Sequence, residues 1–216
     1  MSGDRSVWIG QALSTKLAAI AVAVVIGWGA AVSPTLCRAE TTVAGRTVES
    51  CKAELKDNNR VVRCAAARTL GAFGEAAGPA LTEALTHDDP AVRYLAASHL
   101  GRIGGKPLDN AKKNLRKLFQ DDSSAAVRLS AAYALCAAGD SEDPLRLLIT
   151  RLESPERAMC CSAAEMLGQL GATAAPALSA LEKARDENLP GGKGDYHLGG
   201  AATEAMRKIR AALAKS

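Results

Sequence analysis

Three arginines recur at one place in a repeated phrase: Arg63, Arg93 and Arg128 each follow a valine, Val62, Val92 and Val127. A row of guanidiniums can grip a multivalent anion, or it can fasten neighbouring segments by pairing with carboxylates. Acidic turns lie close in sequence, at Asp57, Asp89 and Asp122. They favour the second use, with each guanidinium on an acidic turn residue of an adjacent unit and its stem packed between units. Other chemistry is thinner. His87, His99 and His197 are the only histidines, and none stands at helical spacing from a second plausible metal ligand. With no H-E-x-x-H and no C-x-x-C, no metal site is expected. Gly191-Gly192-Lys193-Gly194-Asp195 lacks the spacing and the hydroxyl residue of a phosphate-binding loop, and reads as an insertion between helices. Serine, histidine and aspartate are present, but nothing sets them as a triad. The sequence assigns no catalytic residue and no cofactor.

The cysteines number six, of which Cys37 lies in the leader and Cys51, Cys64, Cys136, Cys160 and Cys161 lie beyond it. An odd count leaves at least one unpaired or intermolecular in an oxidising compartment. Cys51 and Cys64 flank the first turn at matching heights, so a bridge there is one option. Packing as small hydrophobes is the default for all five. Cys160 and Cys161 are adjacent in one helix, where a bridge would be strained.

The arginines belong to a longer pattern. Val62-Arg63-Cys64-Ala65-Ala66-Ala67-Arg68-Thr69-Leu70-Gly71 returns as Val92-Arg93 through Leu100-Gly101, then as Val127-Arg128 through Leu135. Weaker copies begin at Met159 and Leu198. A spacing of roughly 30–40 residues is that of stacked helical hairpins. Alanine and leucine dominate, aromatics make up 3%, and β-branched runs are scarce after residue 32, which points to an all-α chain. First helices are expected near Val48 to Lys56, Pro79 to Thr86, Ala111 to Phe119, Pro144 to Leu152 and Pro176 to Ala184. Each ends in a polar turn. Asp89-Pro90 reads as an N-cap followed by proline at the first helical position, and Ser154-Pro155 repeats the device. Gly71, Gly101 and Gly168 read as the stops of the second helices.

On a helical wheel with the valine at zero, Val92, Ala96 and Leu100 share the core side. Paired alanines, such as Ala96-Ala97 and Ala131-Ala132, allow close helix approach. The opposite side carries Cys64 and Arg68, Tyr94 and Ser98, Leu129 and Tyr133, Cys161 and Glu165. Stacked in order, these form an outward column. Arg68, Tyr94, Ser98, Leu129, Tyr133 and Glu165 are therefore the candidate partner-binding residues, with tyrosine the expected anchor.

Asp89-Pro90-Ala91-Val92-Arg93, then Ala96-Ala97 and Leu100-Gly101, resemble position by position the D-P-x-V-R-x-x-A-A-x-x-L-G signature of HEAT-like repeats of the phycobilisome-lyase class. The resemblance runs from about Thr47 to Ala212. It weakens in the fourth unit, where Met159-Cys160 replaces Val-Arg, and in the fifth, with Leu198-Gly199. It implies an α-solenoid of about five helical hairpins that binds or scaffolds another protein. The repeats are also similar to segments appended to secreted bacterial sulfatases, although the sulfatase Cys-x-Pro-x-Arg motif is absent. An accessory subunit of an enzyme, bilin-lyase-like or beside a secreted hydrolase, is the alternative that the resemblance leaves open.

Ahead of the repeats, Lys16 precedes an uncharged run from Leu17 to Cys37, and Cys37-Arg38-Ala39 offers small residues before a cut ahead of Glu40. This layout predicts a signal peptide over 1–39, or an uncleaved anchor at 17–37, since about twenty apolar residues span hydrocarbon. Either places the repeats outside the cytoplasm, periplasmic or secreted. The expected organisation is a leader at 1–39, a linker at 40–46, repeats over 47–212 and a tail at 213–216. The formal net charge is +4, and Arg5, Lys16 and Arg38 against Asp4 carry half of it in the leader. That balance, with few aromatics, argues against a nucleic-acid partner. No small-molecule substrate is evident, which leaves a protein partner.

Overall fold

In a computed structural model, residues 41–188 and 195–215 are described, all within one compact unit spanning 40–216. The fold is all-α: an α-solenoid of five hairpins. Each hairpin has a shorter or more polar first helix and a second helix that carries the repeated phrase. The pairs are α1 (Val48–Glu54) with α2 (Arg60–Ala72), and α3 (Gly78–Ala84) with α4 (Pro90–Ile103). Then come α5 (Gly105–Asp121) with α6 (Ala125–Ala137), α7 (Glu142–Thr150) with α8 (Arg157–Leu170), and α9 (Leu178–Asn188) with α10 (Tyr196–Leu213). The leader, Leu17 to Cys37 included, and the insertion at 191–194 lie outside the described residues. No helix among those described is long and apolar enough to cross a membrane.

The polar turns start the helices. Thr47 and Ser50 form a reciprocal capping box at α1, Asn59 accepts from the Val61 amide, and Asp89 accepts from the Ala91 amide with Pro90 at the first helical position. The Ser154-Pro155 expectation does not hold. Helix α8 starts later, with Glu156 at its N-cap, and Ser154 instead accepts from the Glu156 amide in a turn of its own. Helix α5 begins six residues before the expected Ala111. Gly104 and Gly105 take positive φ (69° and 56°), reverse the chain directly after α4, and leave Pro107 in a first turn where its missing N–H costs nothing.

The second helices lie side by side, each touching the next, and the core runs between them and the first helices. Val92, Ala96 and Leu100 have no exposed surface, as the wheel requires, and so do Ala66, Ala97, Ala131 and Ala163. Helix α6 is the hinge of this packing. Ala131, Ala134 and Leu135 join the apolar cluster formed with the first two hairpins, while Leu129, Ala132, Tyr133 and Cys136 join the cluster formed with the last two. An eight-residue run, Leu129 to Cys136, is buried throughout.

The glycines Gly71, Gly101 and Gly168 do not stop their helices; all three lie inside them. They are notches. A Cβ on Gly71 would sit 2.2 Å from Nδ1 of His99, one on Gly101 would sit 2.6 Å from the Tyr133 ring, and one on Gly168 would sit 2.9 Å from the Ala205 backbone. Each of these three glycines thus receives the next second helix in the row.

Candidate interaction surface

The arginine row builds the joints between hairpins. Arg63 donates from Nη2 to Oδ2 of Asp89 at 2.6 Å and from Nη1 to the carbonyls of Asp57 and Asn58 at 2.9 Å. Arg93 donates to both carboxylate oxygens of Asp122, at 2.7 and 3.0 Å, and to the carbonyls of His87 and Asp88. Each guanidinium therefore clamps its own hairpin's turn to the next one. Burial opposes charge on Asp122, but the Arg93 hydrogen bonds, the Ser124 amide and the charges of Arg93 and Arg128 hold its carboxyl below the ordinary range. Asp89 is lowered against the same opposition by the Arg63 hydrogen bond, the Ala91 amide and the charges of Arg60 and Arg63. Hydrogen bonding to Asp122 raises the Arg93 pKa in turn.

Asp57, Asp89, Asp122, Ser154 and Asp195 hold one conformation: each side-chain oxygen accepts the amide two residues on. Ser154 is thus the counterpart of the ladder carboxylates, and it carries no charge. Arg128, the next arginine of the row, donates to the carbonyl of Asp122 at 2.5 Å. One unit later Cys160 stands where the arginine recurs, and Arg157, one turn earlier, pairs with Asp195 instead. The ladder is structural, and its third rung lacks a carboxylate.

The outward column needs correction. Leu129 is 1% exposed and Tyr133 is 3% exposed, so neither can meet a partner as a surface anchor. Tyr94 and Ser98 are half-buried, and Arg68 and Glu165 are exposed. The cause is the row itself. A helix flanked on both sides buries its flanks as well as its base, and the exposed residues show the open direction turned away from the one opposite the hairpin partner. It passes through the residue before each valine position and the residues three, six and ten after it. On α2 these are Val61, Ala65, Arg68 and Ala72; on α8 they are Ala158, Ser162, Glu165 and Gln169. On α6 they are Ala126, Ser130, Tyr133 and Ala137; Ser130 and Tyr133 are buried beneath their neighbours, so α6 is recessed as a valley between α4 and α8.

The valley widens at both ends. At the N-terminal end, a depression of about 300 Å³ is lined by Arg60, Pro90, Ala91, Tyr94, Ser124, Ala126, Leu129, Ala158, Met159 and Ser162. At the C-terminal end, one of about 530 Å³ is lined by Gly101, Arg102, Tyr133, Ala137, Gly168, Gln169, Leu170, Thr173 and Lys208. Tyr133 forms a wall there, and burial raises its phenol pKa. The sequence reading missed Arg60, Ala126, Met159 and Arg102. The available signal was the small residue before each valine position, Ala91, Ala126 and Ala158, which leaves open the space a larger side chain would fill.

The remaining candidates are structural. Cys51, Cys64, Cys136, Cys160 and Cys161 are all free thiols, so the first turn carries no Cys51–Cys64 bridge. Burial pushes the Cys136 thiol up to about 12, which keeps it protonated and unreactive. No group of three or more His, Cys, Asp or Glu residues among those described is placed to hold a metal ion.

Residues 48–136 match a family model described as HEAT repeats. Among solved structures, the chain is similar to one engineered protein at 20% identity over 76% of this chain and 80% of the other, with a TM-score of 0.44. A second engineered protein is 19% identical over 76% and 98%, with a TM-score of 0.39. The complex of CpcE and CpcF of phycocyanin lyase from Nostoc sp. PCC7120 is 19% identical over 75% and 82%, also with a TM-score of 0.39. No curated protein matches the chain.

Proposed function

We propose that this chain, whose residues 48–136 match a HEAT-repeat family model, is a non-catalytic scaffold that binds a protein partner on the face of its second helices. One observation carries the reading. The polar chemistry of the repeats, Arg63 with Asp89 and Arg93 with Asp122, is spent on joining hairpins, while the open valley along α6 is left for contact. A row of hairpins offers an extended surface in place of an enclosed reaction chamber. Tyr94, which lines the valley, and the exposed Arg68 and Glu165 are the members of the expected column that this reading retains, while the Ser98 hydroxyl oxygen is buried. The leader sequence supports a location outside the cytoplasm, in the envelope or beyond it.

Photo-crosslinking tests the proposal. A benzophenone amino acid at position 68 or 165 should capture a defined protein from the envelope fraction. The same probe at Glu83, exposed on the first-helix layer, should not. Equal capture from both layers, or from neither, would overturn it.

A further inference from the structure

The two ends of the α6 valley share an electrostatic sign. The charged side chains that line them are Arg60 at one end and Arg102 and Lys208 at the other, and no carboxylate lines either. The nearest acid to Arg60 is already engaged: Arg63 holds Oδ2 of Asp89 at 2.6 Å, and Arg60 reaches the same oxygen only at 3.6 Å. Lys208 reaches Glu204, one turn away on its own helix, at 3.7 Å. Between the cations the surface is apolar at the N-terminal end, where Tyr94, Leu129 and Met159 make the floor and Ala91, Ala126 and Ala158 make the rim. Apolar exposure continues past it on both sides. Val61, next to Arg60, is 75% exposed; Tyr196, next to the Asp195 that pairs with Arg157 beside Ala158, is 61% exposed. Two of the three large apolar side chains most exposed among the described residues thus stand at this one edge.

Resting on the scaffold reading above, we propose that the valley over α6 is a docking groove for an extended acidic segment of the partner. An apolar side chain of that segment seats against Tyr94 and the rim alanines Ala91, Ala126 and Ala158, above the buried Leu129 and Met159, and carboxylates before and after it meet Arg60 and Arg102. Helix α6, at about 1.5 Å per residue, is long enough to lie under roughly six extended residues. The depressions suit side chains and are too small for a folded domain. The cations stand at the two ends of the groove, with the exposed Glu165 on α8 between them, so the groove discriminates by charge at its ends and by shape at its socket. Its affinity falls with salt, because exposed ion pairs are screened.

The test pans a random heptapeptide display library against the full chain, then measures the enriched peptides by fluorescence anisotropy. Enriched sequences should combine Asp or Glu with Leu, Met or an aromatic residue. Arg60→Gln with Arg102→Gln, and separately Ala126→Arg, should weaken binding at least tenfold while circular dichroism and the melting temperature stay near those of the parent. Lys52→Glu, on the first-helix layer, should leave affinity unchanged. Basic or uncharged enrichment, no enrichment, or binding insensitive to both groove variants would each overturn the groove. So would a dimer in sedimentation that Ala126→Arg dissolves, since a second copy would then be the occupant. A partner crosslinked from positions 68 and 165 but insensitive to the groove variants would refute the groove alone and leave the scaffold standing.

Discussion

Arg93 donates to both carboxylate oxygens of Asp122, at 2.7 and 3.0 Å, across the boundary between the second and third hairpins. The side chains are 14% and 3% exposed, so the pair is sheltered from solvent and little screened. Removing one member leaves a buried charge without its partner. Asp122→Ala should therefore lower stability by about 3 kcal/mol, read in urea unfolding. Arg63→Ala should cost less, because its partner Asp89 also has Arg60 nearby.

The third rung invites the opposite experiment. Ser154 holds the turn conformation of Asp89 and Asp122 but presents a hydroxyl, and Arg128, the next arginine of the row, bonds a backbone carbonyl. Ser154→Asp should complete the ladder and raise stability by up to about 1 kcal/mol, the range of a partly exposed pair. The gain should vanish in an Arg128→Ala background. A gain that survives there would mean the new carboxylate acts on something other than Arg128.

The glycines inside the second helices make a prediction with a control built in. A Cβ at Gly168 would meet the Ala205 backbone at 2.9 Å, and backbone cannot swing aside, so Gly168→Ala should cost about 1–3 kcal/mol. Gly200 lies in α10 with nothing within 4 Å of its Cβ position. Gly200→Ala should be neutral or stabilising by about 0.5–1 kcal/mol through helix propensity. Ala96→Leu, at a position with no exposed surface, should overpack the row like Gly168→Ala. Thermal melting of the three variants checks all of these signs.

These positions show where the sequence was legible. The period, the pairing of helices, the core side at Val92, Ala96 and Leu100, and the Arg63 and Arg93 joints all followed from spacing, because the repeat samples the same environment several times. Leu-Gly at the end of the first, second and fourth phrases was ambiguous. Glycine stops a helix and also admits a neighbouring helix, and only the neighbour's position decides, as His99 against Gly71 shows. The open face was misjudged for a related reason. A wheel drawn for one hairpin places solvent opposite the core, whereas a row covers both flanks and buries Leu129 and Tyr133. The valley depends on how α4, α6 and α8 sit together, which no single repeat encodes.

The leader reading has its own optical test. Trp8 and Trp28 are the only tryptophans, and both precede residue 40. Protein recovered from the periplasm or medium after cleavage should show tyrosine emission alone. Tryptophan emission from that fraction would mean the segment is retained.

The last prediction concerns acid. His99 packs its ring against Gly71, its Nε2 is buried without a hydrogen-bond partner, and burial, then the charges of Arg102 and Arg68, lower its pKa from the ordinary 6.5. The unfolded chain therefore takes up this proton before the folded one does. Stability is fully present above about pH 6.5 and is lost as the pH falls from there toward the lower folded value. Asp89 and Asp122 act in the same direction in a separate window, since their lowered values make stability fall below the ordinary carboxyl value of 3.8. The melting temperature should thus step down twice, once as the pH falls below the ordinary histidine value of 6.5 and again below the ordinary carboxyl value of 3.8. His99→Gln should erase the first step and keep the second. If the first step persists in that variant, another group sets it, and the joint between α2 and α4 is not the acid-sensitive point of the row.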